Sequence, residues 1–524
     1  MVLAVKRRAG HGSRADRKEH SKRAKEHRHA KHKRRRKHRK PAHHPAVVKP
    51  HGAVTAPLPV APAAPPAPSP APVPSVGSPP ITLAAAHRLL WRAGFGPTPG
   101  QAQSLVGQPL EQVVFGLTRP AGPATLSGPE PVDEHGEPLA PYDAWGDDHC
   151  WWLDRMVRSD QQLVERMTFI FHDWFANSNE KVNSQRQMIE QNELFRALAF
   201  GSFHDLFLAV TVNPAMLVFL DGIYNENGNS NENYAREMME LFSLGADRGA
   251  YTEDDVREMG RALTGWQAKW TQSEGIVDFH FDPTRHDSGV KTVFGQTGNW
   301  NYEDAVRLCV EHPLHASFFV TKLWGYFIPS PPSEATLASL QGLYLSSGYS
   351  IRSVVEAILQ HPDFYSGPEL VTPPVVYNAG LLRSISRPLD TTAWAWLSSG
   401  AGQQLFYPPN VSGWDFSSWL DTSTIRARWE IANYVAAKTY PNPWPQPGEP
   451  QYSETEDPAA ALASALAYWA NPLLSPESAQ CIAAFAQSSL QESSLASWEQ
   501  SSFRALRQNA LRMLIATSPD MQVS

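Results

Sequence analysis

Beyond residue 80, apolar positions recur at intervals of three and four through most of the chain, the spacing of one face of an α-helix. This pattern predicts a helix over 81–92 that ends at Gly94-Phe95-Gly96-Pro97, and two between Asp147 and Ala176 broken near Arg158-Ser159-Asp160. Further helices are predicted over 184–200, 203–212, 214–220, 301–311, 314–327, 334–346, 350–360, 373–386, 423–438, 457–470, 475–491 and 496–517. Only Val277 to Phe281 and Lys291 to Phe294 alternate as strands do, and they are expected to pair as one hairpin. Pro- and Gly-rich residues 119–141 read as a surface loop. The expected fold is mainly α, a large multi-helix domain with long irregular loops and at most one small β-hairpin, at about 277–294.

The most specific stretch runs from Asn231 to Trp266, NENYAREMMELFSLGADRGAYTEDDVREMGRALTGW. Asn233 is expected to cap a helix from about Tyr234 to Leu244, and Gly245 to close it in the left-handed conformation. Tyr234, Ala235, Met238, Met239, Leu241 and Phe242 share one arc, and Asn233, Arg236, Glu237 and Glu240 the other. Thr252 and Asp255 form a Thr-x-x-acid capping box for a second helix that stops at Gly265. The preceding run, NENGNSNEN, is a polar turn; calcium-loop spacing fails because its twelfth position is Arg236 rather than Glu.

Charge divides the chain unequally. Residues 1–80 hold 19 of the 46 Lys+Arg and 3 of the 52 Asp+Glu, leaving 27 basic and 49 acidic residues, a net of −22, in the rest. Residues 1–40 form a basic, His-rich tail, with 18 Lys/Arg between Lys6 and Lys40 and almost nothing apolar to bury, and are expected to be disordered. Such a tail suits a polyanion at residues 6–40: nucleic acid, anionic glycopolymer or acidic membrane surface, all of which gain from counterion release. Residues 41–80 have the composition of an extended Pro/Ala-rich linker, and 81–524 form the helical body, with a sub-boundary near 441–455. Arg7-Arg8 is followed by no apolar stretch of signal-peptide length, so no export signal is readable, and no window reaches transmembrane length. Cys150, Cys309 and Cys481 are far apart and odd in number, and read as small buried apolar residues rather than a disulfide framework.

The sequence has no G-x-G-x-x-G opening a helix after a strand, no Walker loop, no G-x-S-x-G and no H-E-x-x-H. What it has is a set of five ordered runs: ERMTFIFHDWFANS (165–178), NENYAREMMELFSLG, YTEDDVREMGRALTGW, HDSGVKTVFGQTGNWNYEDAV (286–306) and PPNVSGWDFSSWL (408–420). With these the chain resembles the bacterial domain-of-unknown-function family 1800 from about Ile81 to the C-terminus. The resemblance implies a mostly helical, commonly exported protein, often encoded beside a sulfatase-like partner family, and it supplies no catalytic residues.

Candidate chemistry therefore comes from the residues. His172 and Asp173 sit among Phe171, Trp174 and Phe175, with Glu165 and Arg166 one to two turns earlier on the same side, a setting for metal ligation or general acid–base work. His286 and Asp287 repeat the pairing near Lys291. If the Arg236, Glu237 and Glu240 face turned toward them, His172, Asp173, Glu237 and His286 could ligate a divalent metal. The alternative is an ordinary charged helix face and loop-anchoring histidines. Trp414, Trp419, Phe406 and Tyr407, around Pro408-Pro409-Asn410 and Gly413, are placed to stack on a sugar ring or to lock their own loop. Arg426 and Arg428 follow a helix start where an anion would be welcome.

Two functions survive. One is an envelope or extracellular hydrolase-like enzyme, metal-assisted, acting on a polymeric or sulfated substrate. The other is a non-catalytic helical scaffold or binding protein anchored to a polyanion through its tail. An enzyme needs these side chains within reach of one cleft, whereas a scaffold leaves them apart.

Overall fold

The computed structural model describes residues 79–449, 456–491 and 497–524. The basic tail, all but the last two residues of the linker, and residues 450–455 of the expected sub-boundary lie outside the described residues. The body is mainly α-helical, as its periodicity predicts. Helices occupy Leu83–Arg92, Asp147–Arg158, Gln162–Trp174, Gln185–Leu198 and the successive later segments up to Ser497–Ala516. The periodicity overlooks five helices of nine residues or fewer, including Leu110–Thr118 and Ala393–Gly400, which are too short to show several repeats. No helix among the described residues is long and apolar enough to cross a membrane.

Apolar side chains gather into two cores. One is built largely from residues between Ile81 and Phe364, and the other joins the Asp147–Arg158 helix to side chains from Val375 to Met521. The Gln162–Trp174 helix serves both: Leu163, Met167, Ile170, Phe171 and Trp174 enter the first core and Phe169 the second. All its residues are buried. An ordinary amphipathic helix keeps a wet face for its charges, and this one has none. Each polar side chain on it must find an internal partner or go without.

The β structure departs from the single expected hairpin. Lys291–Val293 pairs with Gln296–Gly298, and Gly275–Phe281 pairs with Trp266–Thr271 in a separate two-stranded sheet. Local closure wins. Phe294 and Gly295 both take positive φ (50° and 73°), as a two-residue hairpin turn requires, whereas joining 281 to 291 would close a longer loop. Phenylalanine is an unusual residue for such a turn, which hides it from sequence inspection.

The 231–266 stretch also differs in detail. Asn231, not Asn233, is the cap; its side chain accepts from the Asn233 N–H (2.9 Å). The α-helix Glu232–Glu237 then widens into a π-helix, Met238–Ser243, before Gly245 at φ 90°. Three distant side chains donate to carbonyls of this wide turn: Lys322 Nζ to Leu241 (2.8 Å), Trp174 Nε1 to Phe242 (3.0 Å) and His315 Nδ1 to Ser243 (2.9 Å). The Thr252–Asp255 capping box forms as expected and starts Glu253–Ala262. Cys150 and Cys309 are buried free thiols, and Cys481, expected to be buried, is exposed.

Candidate functional site

The buried Gln162–Trp174 helix carries two polar rows with seven-residue spacing, Glu165 with His172 and Arg166 with Asp173. Glu165 is fully engaged. Arg196 donates to it twice (2.6 and 2.9 Å) and Trp152 Nε1 once (3.3 Å). His172 is enclosed by Trp152, Phe406 and Trp414, with ring centroids 5.3–5.6 Å away and Nε2 unpartnered. Burial pushes its pKa down to about 3, so it is a neutral member of an aromatic cluster.

The second row opens onto a cavity of about 300 Å³. Arg166, Phe169, Ile170 and Asp173, at helical spacing, form one wall, and Tyr326 and the Leu370–Val371 segment others. The 408–420 run supplies Trp414, Phe416 and Trp419. Two of the runs recognised in the sequence, joined by a contact across 241 residues, thus meet in one space. Asp173 fastens them: Oδ1 accepts from the Trp414 N–H (2.9 Å) and Oδ2 from the Tyr326 hydroxyl (2.7 Å). Gly413, at φ 89°, allows this approach, because a Cβ there would collide with the Asp173 carboxylate. Burial raises the Asp173 carboxyl above its ordinary value, against the pull of the two hydrogen bonds and of Lys322.

Arg166 stands apart. It is 3% exposed, and its Nε and Nη1 are buried without a partner. Burial alone lowers its pKa to about 10. Gln403 (1% exposed) accepts at Oε1 from the Val375 N–H (3.0 Å), which leaves Nε2 unpartnered, and Trp419 (2% exposed) leaves Nε1 unpartnered. The lining residues therefore present buried donors with nothing to donate to.

The other candidates lie in different surroundings. Arg236 makes a paired contact with Glu253 (2.8 and 2.7 Å), and Tyr251 donates to Glu240 (3.2 Å); these groups border an open polar cleft of about 460 Å³ that shares no residue with the aromatic cavity. Glu237 is half-buried, with its carboxyl raised by burial and by Glu240. Asp287 is held by Arg261 (2.7 and 3.2 Å), which keeps its carboxyl below the ordinary value. The His286 ring meets the Thr264 hydroxyl and carbonyl, and Lys291, fully buried, donates to the Asp287 and Gly289 carbonyls. These contacts shape the 286–291 loop. Of the eight catalytic candidates Asp173 thus lines the aromatic cavity, His172 lies behind its wall, five of the other six are engaged elsewhere, and Glu237 stands beside Glu240, away from the cavity. Among the described residues no group of three or more His, Cys, Asp or Glu side chains is arranged to hold a metal ion.

Of the anion candidates, Arg426 pairs with Glu430 (3.1 Å), while Arg428 is buried and ties the Trp419 and Thr372 carbonyls together (3.2 and 2.7 Å) behind the cavity. Tyr326, Gln403 and the Leu370–Val371 segment carry no sequence signal, since only tertiary packing brings them in. Arg166 does carry one, as the charged neighbour of Glu165 two turns before the His172-Asp173 pair.

No curated protein and no solved structure matches the chain. One family model does, over residues 88–523, a span that includes every wall of the cavity. The chain belongs to the family described as "Protein of unknown function (DUF1800)".

Proposed function

We propose that this protein is a binding protein that takes a small molecule with a flat apolar body into the aromatic cavity between its two cores. One observation carries the reading: five ring-bearing side chains, Phe169, Tyr326, Trp414, Phe416 and Trp419, line a space large enough for a ring system, yet do not fill it. A hydrolase-like role would need His172, Asp173, His286 and Asp287 on one substrate. Their separate engagements, with Asp173 spent on holding the 408–420 run, weigh against it. For the tail, composition supports polyanion binding at residues 6–40. Salt-dependent retention on an anionic polymer should vanish when its 18 Lys/Arg are changed to Gln, and unchanged retention would refute it.

The cavity reading is tested by calorimetric titration of the full chain with neutral 2-naphthol. Gly325, on the rim, has nothing within 4 Å of an added Cβ, so Gly325→Phe can enter the cavity without a clash at that atom. Binding to the wild type should weaken on the order of tenfold or more in Gly325→Phe at unchanged melting temperature. Equal binding by both proteins, or no wild-type binding at millimolar concentration of 2-naphthol or of its anionic analogues, would refute the reading.

A further inference from the structure

Proteins seldom bury a guanidinium without a carboxylate or a ring of carbonyl acceptors, because removing that charge from water is expensive. This protein obeys the rule elsewhere. Buried Arg92, Arg383 and Arg428 each donate to two or more backbone carbonyls, and buried Arg158 pairs with Asp154 (2.7 Å). Arg166 has neither kind of partner. Asp173, seven residues along the same helix face, gives its oxygens to Trp414 and Tyr326, and its cationic neighbour is Lys322 rather than Arg166. Glu369, also on the lining, is exposed.

The other orphaned atoms point the same way. Each buried unpartnered polar atom on the lining residues is a donor: Arg166 Nε and Nη1, Gln403 Nε2 and Trp419 Nε1. Water could satisfy the amide and the indole, but it would leave the guanidinium's charge unbalanced. A cationic ligand would be repelled. A phosphate dianion would find one cation set against Asp173 and Glu369. What fits is a single negative charge spread over two or three oxygens, attached to a body that suits aromatic walls.

Building on the cavity reading above, we propose that the ligand is an amphipathic monoanion, a carboxylate or sulfate monoester on a flat apolar ring, with its oxyanion held by Arg166, Gln403 Nε2 and Trp419 Nε1. Arg166 is then the ligand's counterion and has no structural duty.

The test compares three probes of one shape, 2-naphthoate, 2-naphthyl sulfate and neutral 2-naphthol, by calorimetry on the full chain, the Arg166→Met variant and the Trp419→Phe variant. The wild type should bind at least one anion on the order of tenfold or more tighter than the naphthol, and which anion wins separates carboxylate from sulfate. Arg166→Met should lose that preference while keeping naphthol binding and a melting temperature no lower than wild type. Trp419→Phe, which removes one N–H and keeps a smaller ring, should weaken the anion several-fold more than it weakens the naphthol.

Equal binding of anion and naphthol by the wild type, or an anion preference that survives in Arg166→Met, would overturn the inference while sparing the cavity reading. Binding of none of the probes would sink both. If Arg166→Met fails to fold, Arg166 is structural and the inference falls, whatever Trp419→Phe shows.

Discussion

Glu165 and Arg166 are adjacent on one fully buried helix and face opposite fates. Glu165 sits in a closed network with Arg196 and Trp152, whereas Arg166 faces a cavity over the Phe169 ring (5.6 Å), with Nε and Nη1 making no hydrogen bond. The wider molecule repeats the contrast. In the 231–266 and 286–291 regions the charged and polar groups are spent on protein: Arg236 on Glu253, Asp287 on Arg261, Lys291 on loop carbonyls, and Lys322 and His315 on the π-turn. A polar residue in a conspicuous run is therefore a poor guide to function by itself. Whether its hydrogen-bonding capacity is already used is the better one.

The sharpest way to break this comparison is to mutate the neighbours in parallel. Glu165→Ala would take the buried carboxylate from Trp152 and from part-buried Arg196, leaving Arg196 with Glu193 and Asn192, and should destabilise by about 3 kcal/mol, the loss expected for a buried charged hydrogen-bond partner. Arg166→Met removes a charge that has the Phe169 ring beside it but no carboxylate or carbonyl partner, and should be neutral or stabilising. Urea unfolding of the two variants reads the difference directly. Similar losses in both would mean that Arg166 has a structural partner.

Gly413 tests whether the cavity depends on the approach of the 408–420 run. Gly413→Ala meets a positive φ and the Asp173 carboxylate together, and should cost about 2–4 kcal/mol. It should also weaken probe binding by displacing Trp414. A variant with wild-type stability and affinity would show that the run needs no glycine there.

Acid should separate the histidines from the cavity. His149 and His172, pushed down to about 3, and His315, to about 4, are neutral in the folded protein. Unfolding lets them protonate near 6.5, so the stability they contribute is full above that pH and is lost as pH falls toward their folded values. Asp148, raised by burial to about 6, acts oppositely: its contribution is full below about 3.8 and is lost as pH rises through 6. Together these four groups take up three protons and give up one on unfolding near pH 5, and so contribute a slope on the order of 2–3 kcal/mol per pH unit. His172→Phe should flatten that slope by about 1.4 kcal/mol per unit without changing anion preference, because His172 is not on the cavity wall. An unchanged slope would mean that His172 titrates normally in the folded state.

How much of this was legible beforehand follows from the range of each interaction. Helices such as Glu334–Ser346 and the Thr252–Asp255 box are specified by neighbours three and four residues away, and the sequence displays them. The π-turn at Met238–Ser243 is not, since its freed carbonyls are met by Trp174, His315 and Lys322, 68 to 81 residues away. His172 and Asp173 were conspicuous as a His-Asp pair, yet adjacent helical residues point about 100° apart, so one faces the aromatic cluster and the other the cavity. Arg166 was visible, with Glu165, as a charged residue one to two turns before the His-Asp pair. Only the fold could reveal that no acid reaches it.

The smallest expected effect belongs to the most conspicuous residues. Arg236 and Glu253 make a well-formed paired contact, but both are substantially exposed, with side-chain exposures of 34% and 67%. Water and salt screen such a pair, and ordering two long side chains offsets much of the attraction. Arg236→Ala should therefore cost no more than about 1 kcal/mol, shrink further in high salt, and leave probe binding in the aromatic cavity unchanged. A double-mutant cycle with Glu253→Ala isolates the coupling. If that coupling exceeded about 2 kcal/mol, or if Arg236→Ala abolished anion binding, the polar cleft beside Glu240 and Tyr251 would have to be joined to the functional site, and the contrast between spent and unspent charges would fail where the sequence is most distinctive.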